Sequence, residues 1–178
     1  MCEITLTALK AGCKDISGIS KLYFIDKAAR IDAGITYTVV DGEISIAGTD
    51  GAAFVLEPKQ NSFSVTNPTN ASADNNSLFY LQTISGMVHG NSAPQKALIQ
   101  NINKGVTEVL VAYTNGTYEF FGTDTAGMQA DGGDGQASGQ AAGDAKGATL
   151  SLTGQSTYIA PVVSSFADFT DAFTVTEA

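Results

Sequence analysis

The chain has no tryptophan, one histidine (His89) and two cysteines (Cys2 and Cys13) in 178 residues. A lone imidazole without an acidic neighbour in sequence is a poor start for acid–base catalysis, so His89 reads as a surface or packing residue. Two cysteines do not make a disulfide framework. A Cys2–Cys13 bridge is open to the chain in an oxidising setting, and reduced thiols are the default for a protein made inside a cell. Two cysteines and one histidine cannot complete an ordinary structural zinc site without carboxylates. Phosphate-binding loops, dinucleotide fingerprints and serine nucleophile elbows are also missing. The expectation is a chain that is not an enzyme, with no catalytic residue, no metal and no cofactor.

Long apolar runs are missing as well. No stretch approaches the roughly 20 residues of a membrane-spanning helix. The opening Met1-Cys2-Glu3-Ile4-Thr5 has no charged segment leading into an apolar core of the secretory kind. No membrane partner and no secretory export are expected.

Positive charge is scarce, and scarcest in the second half. The net charge is −9. Residues 1–105 hold nine acids and eight bases, whereas residues 106–178 hold nine acids and only Lys146 as a base. A protein that grips nucleic acid needs the opposite sign, because phosphate contacts come from Lys and Arg. An anionic half argues against grasping DNA but not against a surface that DNA must slide past, and solubility alone accounts for it equally well.

What is abundant is glycine, with 19 residues, together with β-branched and hydroxyl side chains. This composition favours pleated surfaces and turns. Residues 1–17 read as an N-terminal arm. Ile19–Ile25, Ile35–Val40, Glu43–Ile46, Ala53–Glu57, Ser62–Thr66, Val106–Tyr113, Thr117–Phe121, Ala148–Leu152 and Thr157–Val163 read as strands. Asp26 to Gly34 reads as a polar connection, and Asn70–Asn76 as polar turns. Asp41-Gly42 and Asn115-Gly116 sit between alternating runs and mark hairpins. Leu78–His89 is long for one flat strand, and Gly86 is expected to bulge or kink it.

One helix is well signalled, over about residues 92–104. Ser92 and Gln95 have capping-box spacing, Pro94 is tolerated in the first turn, and Leu98, Ile99 and Ile102 share a face. Lys104 favours the C-terminal dipole, and Gly105 is expected as a left-handed stop. Such a narrow apolar stripe must lie on a sheet.

Residues 123–147 form an acidic, glycine-rich loop without periodicity, expected to be mobile or to order on assembly. Within it, Asp131-Gly132-Gly133-Asp134-Gly135 is the nearest approach to a Ca²⁺ loop, but it matches neither an EF-hand nor a repeated nonapeptide. The tail 164–178 carries Phe166, Phe169 and Phe173, spaced for a short amphipathic helix, while Phe173-Thr174-Val175 also suits a strand. Three phenylalanines need burial, on the parent domain 18–163 or on a neighbour. The resulting fold class is mainly β: an antiparallel sandwich or barrel with one flanking helix and long loops.

The order of elements resembles the major tail tube proteins of tailed bacteriophages, in particular a group associated with phages of Bacteroidetes. The opening Cys13-Lys14-Asp15-Ile16-Ser17-Gly18-Ile19-Ser20-Lys21-Leu22-Tyr23 is similar to that group's Cys-Lys-Asp, Gly-Ile, aromatic start. Leu78–Val88, the helix from Ala93 to Asn103 and Glu108–Tyr113 follow its strand–helix–strand order. Asn115–Gly122, the acidic loop and Gly143–Gly154 resemble its closing hairpin region. The likeness spans residues 13–160.

The resemblance implies a structural virion protein. Subunits would form rings, hexameric in this family, that stack into a tail tube around a DNA-conducting lumen. Sheets of neighbouring subunits would join, and loops and arms would bridge rings. The implied partners are copies of the chain, other tail proteins and DNA in transient, non-specific passage. The implied place is the virion tail, assembled in host cytoplasm. On this basis Glu108, Glu119, Asp124 and Asp144 are candidates to face the lumen. Asp131, Asp134, Phe166, Phe169 and Phe173 are candidates for contacts between subunits or rings. Two other readings stand beside it: a capsid decoration or head-fibre protein, and a β-sandwich binding module whose Asp-Gly loop holds Ca²⁺ or glycan.

Overall fold

The computed structural model describes residues 18–59, 62–72, 77–90, 92–124, 126–132, 136–137 and 147–177. Its first strands are β1 (Ile19–Asp26), β2 (Thr36–Val40), β3 (Glu43–Ala47), β4 (Gly51–Leu56), β5 (Phe63–Thr66), β6 (Thr69–Ser72) and β7 (Ser77–His89). They are followed by β8 (Thr107–Tyr113), β9 (Tyr118–Phe121), β10 (Gln129–Ala130), β11 (Gln136–Ala137), β12 (Gly147–Ser156), β13 (Val162–Val163) and β14 (Phe173–Glu177). The helices are α1 (Lys27–Asp32), α2 (Ala93–Lys104) and α3 (Phe166–Ala172).

Among the described residues the strands form two sheets. The larger runs β14-β4-β1-β8-β9-β13-β3-β2. The smaller runs β10-β12-β7-β5, with β6 also on β7 and β11 also on β12. Most pairs are antiparallel, as expected; β13–β3 and β14–β4 are parallel, so the larger sheet is mixed.

Strand β1 shows how the layers stack. Leu22 and Phe24 lie on one face and pack with Ile84, Val109, Val111, Leu150 and Leu152 between the two sheets, where Ile102 of α2 joins them. Tyr23 and Ile25 point the other way, into a second core with Ile44, Leu110, Phe120, Phe169 and Phe173. A strand buried on both faces reads as a continuous apolar run, and Leu-Tyr-Phe-Ile is one. The fold is therefore a sandwich, mainly β, with α2 flanking it and a second hydrophobic layer behind the larger sheet.

Local chemistry explains most of the elements. Asp41 and Gly42 both take positive φ (52° and 84°), which is the type I′ turn that joins β2 to β3 in register with right-handed twist. Helix α2 is closed by the capping box: Ser92 Oγ accepts from the Gln95 backbone N–H, and Gln95 Oε1 accepts from that of Ser92. The helix stops differently from the expectation. Gly105 is extended (φ −103°), and its N–H still reaches the Asn101 carbonyl.

The connection after β1 is a helix, not an irregular link. The Asp26 carboxylate accepts from the backbone of Ala28 and Ala29 and starts α1. This six-residue helix buries none of its residues, so no apolar stripe announced it. Residues 70–72, expected as turns, belong to β6, which pairs with β7.

Gly86 does not bulge β7. The ladder passes through it without a register shift, with Leu150 opposite on one side and Phe63 on the other. Its role is close approach. A Cβ there would sit 2.4 Å from Phe63 Cγ and 2.4 Å from the Ser62 carbonyl.

The tail takes both conformations that its pattern allows. Phe166–Ala172 is helical and Phe173–Glu177 is a strand beside β4. The acidic loop is tied at its near end: Met128 is fully buried and bridges Thr107, and β10 extends β12.

Candidate assembly surface

The candidate carboxylates do not share one surface. Glu108 is fully buried, which corrects its expected place on a lumen wall. Register explains this: Glu108 lies on β8 two residues before Leu110 and shares its face, which packs into the second core. Three groups compensate the buried charge. Arg30 Nη2 donates to Oε1 at 2.7 Å and Arg30 Nε donates to Oε2 at 3.3 Å, the bidentate fork that suits a carboxylate. The Tyr37 hydroxyl donates to Oε2 at 2.8 Å, and Lys27 Nζ stands 3.9 Å from Oε1. Arg30 Nη1 donates to the Ile35 carbonyl, and the guanidinium lies 4.6 Å from the Tyr37 ring centre.

Electrostatics follow from that geometry. Burial, then the charge of Glu108 and its hydrogen bond, push the Tyr37 hydroxyl far above the usual phenol range. Burial holds the Lys27 ammonium below its usual value, against the opposing pull of Glu108. With no exposed surface, Glu108 offers nothing to a substrate or a passing phosphate. The cluster fastens α1 and β2 to β8.

Asp124 is also engaged inside the fold. Its carboxylate accepts from the Thr157 backbone N–H at 2.8 Å and the Thr157 hydroxyl at 3.0 Å, and its carbonyl accepts from Lys27 Nζ. It ties the start of the acidic loop to the segment after β12. Asp131 is exposed beside β12, where its N–H donates to the Ser151 carbonyl. Asp134 and Asp144 lie outside the described residues.

The three tail phenylalanines pack on their own chain, which corrects their expected place between subunits. Phe169 and Phe173 are fully buried, and Phe166 is half-buried. Phe169 sits 5.3 Å from the Tyr23 ring and 5.0 Å from Phe173, while Phe166 stacks on Tyr118 at 4.5 Å. His89 ends β7, half-buried opposite Gly147. Among the described residues, no group of three or more His, Cys, Asp or Glu comes together as a metal site. No described helix is long and apolar enough to cross a membrane.

Glu119 is half-buried, in company that the sequence did not announce. Val162 is opposite Glu119 on one side and Glu43 on the other, and Glu43 is opposite Val40. Directly opposed residues project to one face. The row Val40, Glu43, Val162, Glu119 therefore lies on the face that is buried at Val111 and is exposed at Val40, Glu43 and Val162. Val40 is 61% exposed and Val162 41%. The Tyr113 hydroxyl donates to Glu119 at 2.7 Å and fixes its direction. Burial first, then that bond, raise the Tyr113 pKa. The Glu43 site needed β13 to come between β3 and β9, a long-range pairing without a local signal.

Two further features concern association. The smaller sheet carries hydroxyls in register on its outer face, Ser64, Ser85 and Ser151 in one row and Thr66, Thr83 and Thr153 in the next, with the exposed Asp131 beside Ser151 at the rim. Ser64 Oγ and Ser85 Oγ are 3.2 Å apart. Among the described residues two of the outer strands, β2 and β5, are unguarded, whereas β14 ends in Glu177. Thr-Tyr-Thr-Val-Val of β2 and Phe-Ser-Val-Thr of β5 contain no charge and no proline. Natural edges are commonly blunted by Lys, Pro or bulges, because an open edge templates pairing. No protein-family model, no curated protein and no solved structure matches this chain.

Proposed function

We propose that the chain is a structural subunit that assembles with copies of itself, in the form its resemblance implies: stacked rings building the tail tube of a bacteriophage around a passage for DNA. The observation that carries this reading is the pair of uncharged, proline-free edge strands β2 and β5. Left open, they invite indiscriminate pairing; joined to copies, they extend the sheets and remove the liability. A contact of this head-to-tail kind closes into a ring where the rotation allows it. The neutral Ser and Thr rows of the smaller sheet support the same reading, since depletion of charge marks interface centres.

Within that assembly the non-stick wall falls to Glu43 and Glu119 rather than Glu108. Negative-stain microscopy of the concentrated protein, paired with sedimentation, tests the reading. Rings or tubes are expected. A chain that remains monomeric at every concentration overturns it.

A further inference from the structure

The sheet edge at β2 is short, and the chain itself closes both of its ends. Among the described residues no strand pairs with β2 on its outer side. A two-residue hairpin turn is flanked by a hydrogen-bonded pair, here Val40 and Glu43. Bonding alternates along a strand, so Val40, Thr38 and Thr36 direct their backbone groups to β3, and those of Val39, Tyr37 and Ile35 point outward. Ile35 is already engaged. Its N–H donates to the Arg30 carbonyl at 3.2 Å, and its carbonyl accepts from Arg30 Nη1 at 2.9 Å. At the other end Asp41 turns the chain with a positive φ of 52°. Tyr37 and Val39 are what the edge offers.

These two residues stand symmetrically about Thr38. A second copy, related by a two-fold axis at Thr38, lays its own β2 antiparallel to the first. Tyr37 then faces the partner's Val39, Val39 faces the partner's Tyr37, and the outward groups of both strands are bonded. No other register does this. A shift by two residues one way sets Tyr37 against itself and Val39 against the closed Ile35. A shift the other way sets Val39 against itself and Tyr37 against the turn at Asp41.

The side chains agree with that register. Tyr37 and Val39, half-buried against the second core, make aromatic–β-branched pairs that extend it across the axis. On the opposite face the exposed Thr38 meets its equivalent, and the exposed Val40 lies beside Thr36. Like charges directly opposed would weaken such a pair, and β2 has no charge, whereas β14 would bring Glu177 to it.

We propose that the edge of β2 recognises itself: two copies join β2 to β2, antiparallel about a two-fold axis at Thr38, and fuse their larger sheets into one. So short a contact belongs to the weak, transient class. Salt strengthens it by screening the repulsion between two chains of net charge −9. The pairing concerns the free chain and stands whether or not copies also build rings; ring closure exchanges this partner for a head-to-tail neighbour.

Cross-linking tests the axis. In a Cys2→Ser, Cys13→Ser background, Thr38→Cys faces itself across a non-hydrogen-bonded pair, where Cα atoms stand about 4.5 Å apart and a disulfide fits. Mild oxidation should trap a covalent dimer, faster with added salt. Thr36→Cys and Val40→Cys are also exposed but lie off the axis. Each alone should cross-link several-fold more slowly, while a mixture of the two should give the mixed dimer. Val39→Pro removes an outward N–H that the β2–β3 ladder does not use, a position where a strand edge tolerates proline. In protein whose circular dichroism matches the parent's, it should slow Thr38→Cys trapping several-fold. If the proline disturbs the fold, the three single-cysteine variants decide alone. Thr38→Cys trapping no faster than that of Thr36→Cys and Val40→Cys, or unchanged by the proline in folded protein, overturns the proposal. Rings in micrographs without the Thr38→Cys cross-link overturn it and leave the ring reading standing; the cross-link without rings at any concentration does the reverse.

Discussion

Arg30 grips Glu108 in a two-point fork, 2.7 Å and 3.3 Å, across 78 residues of sequence and with the carboxylate wholly out of water. Removing the acid strands Arg30 and Lys27, whose side chains are each only 12% exposed, without their counter-charge. Breaking a buried pair from one side costs about 3–5 kcal/mol. Glu108→Ala should therefore lower the urea unfolding free energy by about that much. Glu108→Gln, which keeps an acceptor for Arg30 and Tyr37, should cost less. A loss below about 1 kcal/mol for the alanine variant would place the cluster in water rather than in the core.

Tyr37 makes the same cluster sensitive to alkali. Its folded pKa is raised above the ordinary value of 10.0, by burial first and Glu108 second. A group of this sign contributes stability that is complete below the unfolded pKa and declines as pH rises beyond it, because only the unfolded chain then releases the proton. Stability should hold up to about pH 10 on this account and fall above it. Tyr113, raised by burial and its bond to Glu119, adds to the same limb. In Tyr37→Phe the loss of stability between neutral pH and pH values above 10 should be smaller than in the parent, measured by urea midpoints at each pH. Spectroscopic titration should show delayed tyrosinate absorbance that appears with unfolding.

Gly86 is a packing device and can be tested as one. In Gly86→Ala the new methyl meets the Phe63 ring and the Ser62 carbonyl. That carbonyl accepts the Met87 N–H at 2.9 Å, so moving it disturbs the ladder. Overpacking of this kind typically costs about 1–3 kcal/mol. The urea midpoint should fall accordingly. A flexible bulge would have absorbed the methyl without loss.

These cases mark what local sequence carries and what it does not. The β1 run, the Asp41-Gly42 turn and the Ser92–Gln95 cap are encoded within a few residues, so their chemistry was legible before any pairing was known. Glu108 was misplaced because its fate depends on which face of β8 looks into the second core, and that core exists only once α3 and the β2–β3 hairpin arrive from distant sequence. Gly86 was misread for a similar reason: a glycine in a strand signals close approach or a bulge alike, and only Phe63 across the ladder decides. The short helix α1 has a good cap in Asp26 but turns Lys27 and Arg30 inward rather than an apolar face, so periodicity had nothing to detect. Glu43 gained its place only through the parallel pairing of β13.

Phe169 separates a tail that completes its own domain from one held for a partner. Its ring is fully buried among Tyr23, Phe120, Phe166 and Phe173. Truncating such a ring costs about 3–5 kcal/mol. Phe169→Ala should lower the stability of the isolated monomer by that amount, measured by urea denaturation in dilute solution. If the ring served only a contact between subunits, the monomer would be unchanged and only assembly would weaken.

Glu43 and Glu119 test the proposed wall. They stand on either side of Val162 on one face, and the chain as a whole carries nine more acids than bases. Repulsion from such a face acts within about 8 Å at physiological salt, so it governs DNA only at close approach. The double variant Glu43→Lys, Glu119→Lys reverses the sign of the row in every copy of an assembly. Assembled particles of the parent chain should leave double-stranded DNA free, while those of the variant should retain it. Retention should weaken with added salt, because each phosphate neutralised contributes about −0.9 to the slope of log affinity against log salt. Glu119→Lys also forfeits the Tyr113 hydrogen bond, so Glu119→Gln serves as the control that disturbs that contact without adding positive charge. If the lysine variant forms particles like those of the parent and DNA passes both equally, the row does not face the passage.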